Sequence, residues 1–117
     1  MLGRLLGLFR KDPIRIEGVA ALPEGESRKV TVGDPLSGSG TDLILAKVDG
    51  VVHAVDSRCP HAGGFITDGP LAEGRFVVCP LHNYRFDPAS GACTNAPCGK
   101  ARTYRSEADG DALQVWV

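Results

Sequence analysis

Two short segments of this chain each offer one cysteine and one histidine: Cys59-Pro60-His61 and Cys79-Pro80-Leu81-His82. The usual zinc finger instead gathers two Cys in a knuckle and two His on a helix. Here each segment pairs a soft, anionic thiolate with a neutral imidazole. A binuclear iron–sulfur centre with two Cys on one iron and two His on the other would draw on both segments for both ligand types. Replacing two of four thiolates by imidazole makes such a site less negative by two charges, so it accepts an electron more readily than an all-Cys centre. Each imidazole also keeps a second ring nitrogen able to lose a proton, which links electron uptake to pH. No Ser/His/Asp set, phosphate-binding loop or carboxylate pair competes with this constellation.

These segments need a frame, and the surrounding pattern is strand and turn. Ile14, Ile16, Val19 and Leu22 suggest a first extended stretch closed by Pro23-Glu24-Gly25, and Arg28–Val32 alternates before Gly33-Asp34-Pro35. Leu43–Val48 and Val51–Val55 flank Asp49-Gly50, a strong two-residue hairpin signal. That hairpin leads straight into the first Cys/His segment. Turns are expected at Gly69-Pro70 and Glu73-Gly74, followed by a short strand, Arg75–Val78, entering the second segment. Tyr84–Phe86 leaves it, Asp87-Pro88 and Ser90-Gly91 turn the chain, and Arg102–Ser106 with Leu113–Val117 bracket a last hairpin at Asp109-Gly110-Asp111. Pro60 and Pro80 stiffen the two loops by fixing φ. Gly63 and Gly64 let the backbone approach a cluster and offer amide donors without a Cβ in the way.

The bulk numbers agree with one small domain. The chain has 117 residues, 43% of them hydrophobic, with 15 Gly and 8 Pro, which favours short strands and many turns over long helices. A net charge of −1 argues against nucleic acid as a partner. Arg4, Arg10 and Lys11 interrupt the apolar start, so no signal-peptide core is expected, and the stretch is too short to span a bilayer. Leu2, Leu5, Leu6 and Phe9 would share one face of a short helix packed on the domain. The chain is expected to be cytoplasmic, with Cys93 and Cys98 as reduced thiols. His53, inside a strand, reads as a half-exposed packing residue.

Cys59-Pro60-His61, then Cys79-Pro80-Leu81-His82, with Phe86-Asp87 and Gly91 beyond, resemble the signature of the Rieske [2Fe–2S] family over about Val19 to Val117. The nearest groups are the ferredoxins of ring-hydroxylating dioxygenases and the Rieske-like small subunit of nitrite reductases. The resemblance implies an all-β fold: an antiparallel β-sandwich with a small cluster-binding subdomain at one end. It implies residues 1–13 as an N-terminal extension and 14–117 as the Rieske domain, with the cluster-binding part at about 57–100. One [2Fe–2S] cluster per chain is implied, with Cys59 and Cys79 on the inner iron and His61 and His82 on the outer, solvent-facing one. Asn95-Ala96-Pro97 resembles the family's third, proline-containing loop that shields the cluster.

Relatives in respiratory and photosynthetic complexes carry a disulfide between the ligand loops, where this chain has Gly64 and Leu81. They also place hydroxyl donors where this chain has Tyr84 and Phe86. A potential near the low end of the Rieske range, about −150 mV, is therefore implied.

The implied role is a one-electron carrier, not an enzyme by itself, between a flavoprotein reductase and a terminal oxygenase. An apolar tip of Ala62, Gly63, Phe65 and Leu81 would dock the partner. The first alternative is a small subunit working with a nitrite reductase large subunit, because Leu81-His82-Asn83-Tyr84 is somewhat closer to that group. The second is a structural zinc module.

Overall fold

The computed structural model describes residues 12–33, 40–60 and 63–117. Among them, nine strands run antiparallel in the order β1-β9-β8-β4-β3-β2-β5-β6-β7. These are β1 Ile14–Ile16, β2 Glu26–Val32, β3 Thr41–Val48, β4 Val51–Asp56, β5 Thr67–Ala72, β6 Phe76–Cys79, β7 Tyr84–Phe86, β8 Thr103–Asp109 and β9 Ala112–Trp116. No helix among the described residues is long and apolar enough to cross a membrane.

Strand β3 organises the interior. Leu43, Ile44, Leu45 and Ala46 are all fully buried, so both faces of this strand are covered. Because successive side chains point to opposite faces, the run feeds two separate cores. Leu43 and Leu45 pack with Val19, Leu22, Val32, Ala54, Leu113 and Val115. Ile44 and Ala46 pack with Val55, Ile66, Leu71, Val77 and Phe86, and this second core also contains Cys59 and Cys79. Burying each large aliphatic side chain contributes about 1.5–3 kcal/mol. The two cysteines are therefore rooted in a packed apolar core.

The β3–β4 hairpin forms as the sequence indicates. Asp49 and Gly50 both take left-handed backbone angles (φ 53° and 78°), which suits the right-handed twist of the flanking strands. The Glu24 carboxylate accepts from both turn amides at 2.6 and 2.8 Å.

Two expectations need correction. The stretch from Ile14 to Leu22 is not extended throughout: β1 ends at Ile16, Gly18 turns the chain at φ 74°, and Val19–Ala21 is a single 3-10 turn. Asp111 holds that turn, its carboxylate accepting from Gly18 N–H at 3.0 Å and its carbonyl from Val19 N–H at 2.9 Å. Gly69-Pro70 is likewise not a turn but lies inside β5, where the register with β6 shifts. Proline is tolerated where a strand's ladder is irregular, since no amide is then missed. The helical face at Leu2, Leu5, Leu6 and Phe9 lies outside the described residues.

Candidate metal centre

Three loops converge beside the second core. The first leaves β4 at Asp56, which is 2% exposed and works as an anchor. Its carboxylate accepts from the Arg58 backbone at 2.9 Å, from the Arg58 guanidinium at 3.1 and 3.0 Å, and from the Tyr104 hydroxyl at 2.8 Å. Burial would push this carboxyl up, but the Arg58 and Tyr104 hydrogen bonds outweigh it and hold the group below its ordinary value. The loop then closes on itself: Arg58 bridges Phe65, Cys59 N–H donates to Gly64 C=O at 2.8 Å, and Ile66 N–H donates to Ser57 C=O at 2.6 Å.

The second loop joins β6 to β7, whose last and first residues, Cys79 and Tyr84, pair across the ladder. Its tight return is made at Asn83, with φ 55°. Asparagine is among the few non-glycine residues that tolerate this conformation. The third loop starts where Cys93 bridges Phe86 and Thr94 N–H donates to Arg85 C=O at 2.8 Å. From there Asn95 spans to the second loop with both ends of its side-chain amide. Its Nδ2 donates to Asn83 C=O at 2.8 Å, and its Oδ1 accepts from Arg85 N–H at 2.9 Å.

The candidate ligands divide by burial. Cys59 and Cys79 are buried, at 6% and 0% exposure, and their thiols interact with one another. Burial pushes the Cys79 thiol up and its contact with Cys59 adds to this, while the Leu81 N–H, aimed at the same sulfur, works the other way. His82 is exposed, and its ring lies against Tyr84 with centroids 5.3 Å apart and planes 33° apart. His61 and Ala62 fall outside the described residues. Gly64 passes so close to Cys79 that a Cβ there would sit 2.9 Å from the sulfur. Phe65 and Leu81 are more than half exposed on this end of the molecule.

Two thiols inside, an imidazole outside and a backbone with no side chain to fill the space between the loops suit a group with a sulfur-bound inner end and a nitrogen-bound outer end. A tetrahedral zinc ion needs its ligands to converge on one point.

His53 sits half-buried on β4, as a packing residue would, and burial pulls its imidazole down against the opposing influence of Asp87. Cys93 and Cys98 carry free thiols that pack partly buried against the second core. Sequence reasoning missed the Asp56 anchor and the Asn95 span. Asp56-Ser57-Arg58 carried a local signal, because a carboxylate often accepts from the backbone two residues on. Asn95 stood in the loop that the resemblance singled out, but its span between loops carried no local signal, since its partners are fixed only by the fold.

An antiparallel all-β domain with two Cys/His loops beside one core is the frame of a cluster-binding electron-transfer domain. The Rieske [2Fe-2S] domain family matches residues 13–113, and the chain belongs to that family. It is 36% identical over 95 residues to the ferredoxin component of a naphthalene 1,2-dioxygenase system from Pseudomonas aeruginosa, covering 80% of this chain and 85% of that one. The corresponding Pseudomonas putida component is 40% identical over 84 residues, covering 70% and 74%. Among solved structures, the ferredoxin of carbazole 1,9a-dioxygenase from Nocardioides aromaticivorans superposes with a TM-score of 0.73 at 27% identity, covering 91% and 98%. A nitrite reductase small subunit from Mycobacterium tuberculosis shares the fold, with a TM-score of 0.62 at 23% identity, covering 90% and 96%.

Proposed function

We propose that this chain is the ferredoxin of an oxygenase system, taking single electrons from a flavoprotein reductase and delivering them to a terminal oxygenase. Support comes from 36–40% identity to dioxygenase ferredoxin components over most of their length. The observation that carries the reading on the structural side is the division of the centre: Cys59 and Cys79 buried, His82 exposed one turn further on. Cys59 and Cys79 would hold the inner iron, and His61 and His82 the outer one. The cluster, when bound, takes up and gives up one electron at a time.

The chain's own residues do the rest. The buried thiols anchor the cluster in an apolar core that excludes water. The exposed His82 brings the outer end to the surface, where Phe65 and Leu81 give an apolar patch for a brief encounter. Redox encounters commonly bury less than about 1,200 Å² in total, so one such tip suffices. A cavity of about 430 Å³ touches this end at Ser57, Arg58 and Phe65. Within the chain, residues 57–100 form the cluster-binding part of a domain spanning 14–117, with 1–13 as an extension, and the protein works in the cytoplasm.

A second reading, the small subunit of a nitrite-reductase-type complex, draws on the fold likeness. Dioxygenase ferredoxins usually have Gly after the second His, and the φ of 55° at Asn83 explains both choices. The residue therefore does not separate the groups.

The test is anaerobic purification followed by EPR of the dithionite-reduced protein. A rhombic signal of low average g, lost in Cys59→Ser and Cys79→Ser and altered in His82→Cys, is expected. Zinc with no iron or acid-labile sulfide overturns the reading. Turnover with a reductase and a dioxygenase α-subunit, against a nitrite reductase large subunit, then distinguishes the two pathways.

A further inference from the structure

Two cysteines remain outside the candidate centre, and they are not scattered. The Cys93 and Cys98 thiols meet one another across the third loop, and both are partly exposed. Backbone N–H groups of Asn95, Ala96 and Cys98 converge on the Cys93 sulfur. Such donors favour the thiolate, the form that attacks a disulfide.

Their setting gives the pair a consequence. Asn95, between them in sequence, holds Asn83 C=O and Arg85 N–H, the two backbone groups that frame the return of the His82 loop. The Cys93 sulfur itself lies 3.8 Å from Asn95 Oδ1. On the far side of the loop, a Cβ at Gly99 would stand 3.8 Å from Pro60, in the Cys59 loop. The dithiol therefore sits on a loop that touches both candidate ligand loops.

We propose that Cys93 and Cys98 are a second redox site, a dithiol that low-molecular-weight disulfides of the glutathione class oxidise to a disulfide within the third loop, altering the cluster through Asn95. The Cys93 thiolate attacks one sulfur of glutathione disulfide, forming a mixed disulfide and releasing one glutathione thiolate. The Cys98 thiol then loses its proton to solvent and attacks the Cys93 sulfur, releasing the second glutathione. Two electrons pass from the protein dithiol to the reagent, and two glutathione molecules result. Closing the bond brings the sulfurs to about 2.05 Å, which draws the ends of the loop together around Asn95.

The test uses cluster-loaded protein, its integrity checked by EPR, equilibrated anaerobically across a series of reduced and oxidised glutathione. Native alkylation and intact mass then count the free thiols, and the cluster midpoint is measured at each end. Alkylatable thiols are expected to fall from two to none, with Cys93 and Cys98 linked in the peptide map and the midpoint shifted. Cys98→Ser is expected to trap glutathione on Cys93, and the Cys93→Ser midpoint to stay constant across the series. Two alkylatable thiols throughout, a persistent mixed disulfide in the unmodified chain, or an unchanged midpoint in fully oxidised protein each overturns the proposal.

Discussion

Gly64→Ala is the substitution that probes the proposed centre most directly. A Cβ at this position would stand 2.9 Å from the Cys79 sulfur, 3.2 Å from Leu81 Cδ2 and 3.3 Å from Leu81 Cβ. Non-bonded carbon contacts are most favourable at about 3.5–4.0 Å, and sulfur is no smaller than carbon. Relief on the Cys79 side alone therefore needs a retreat of roughly 0.6 Å or more. Metal–ligand distances tolerate about ±0.2 Å, so the retreat is about three times what a bound iron allows. Leu81 can swing away, but a buried cysteine on the last residue of β6 cannot. Alanine here is expected to lower iron and acid-labile sulfide per chain at least severalfold, while circular dichroism stays that of a β protein.

Gly63→Ala is the matching control. Gly63 has φ 70° and, among the described residues, nothing within 4 Å of a built Cβ. Its replacement adds only the left-handed backbone penalty of about 1–2 kcal/mol, and the cluster is expected to remain. If Gly64→Ala carries a full complement of iron and sulfide with an unaltered EPR spectrum, the close approach of the two loops is wrong, and with it the site built on them.

Asn95→Ala removes two side-chain hydrogen bonds at about 0.5–1.5 kcal/mol each. We expect faster loss of the cluster in a chelator time course, and a half-life equal to wild type would refute the span. Asp56 is a second handle. Its carboxyl lies below its ordinary value when folded, so its contribution is complete above the unfolded pKa of about 4 and is lost as pH falls through the folded value. Acid titration of thermal stability is expected to show a steeper decline for wild type than for Asp56→Asn, and parallel curves would count against the Arg58–Tyr104 network. The redox midpoint is expected near −150 mV, the low end of the Rieske range, because Phe86 brings no hydroxyl and Tyr84 is too long to replace a serine. A clearly positive value in a redox titration would refute that argument.

The parts of this molecule that could be read in advance are those governed by neighbours in sequence. Asp49-Gly50 specifies its own turn, and the alternation over Arg28–Val32 places the side chains of that part of β2 without further information. The pairing of cysteine with histidine in each loop was visible for the same reason. Gly69-Pro70 misled because a bulge in a strand and a turn use the same residues, and only the partner strand decides between them. Val19 and Leu22 are buried as their types suggest, but they reach the core through a 3-10 turn dictated by Asp111, far away in the chain. Asn95 was silent on the same grounds, because an amide that bridges two loops has no local signature.

Strand β3 acts as a party wall. Leu43 and Leu45 furnish one room, Ile44 and Ala46 the other, and only the latter houses the cysteines. Stripping the metal would disturb one room while its neighbour, furnished with Leu113 and Val115, keeps its contents. A chain still without iron would then already be half built, with the Asp49-Gly50 hairpin in place.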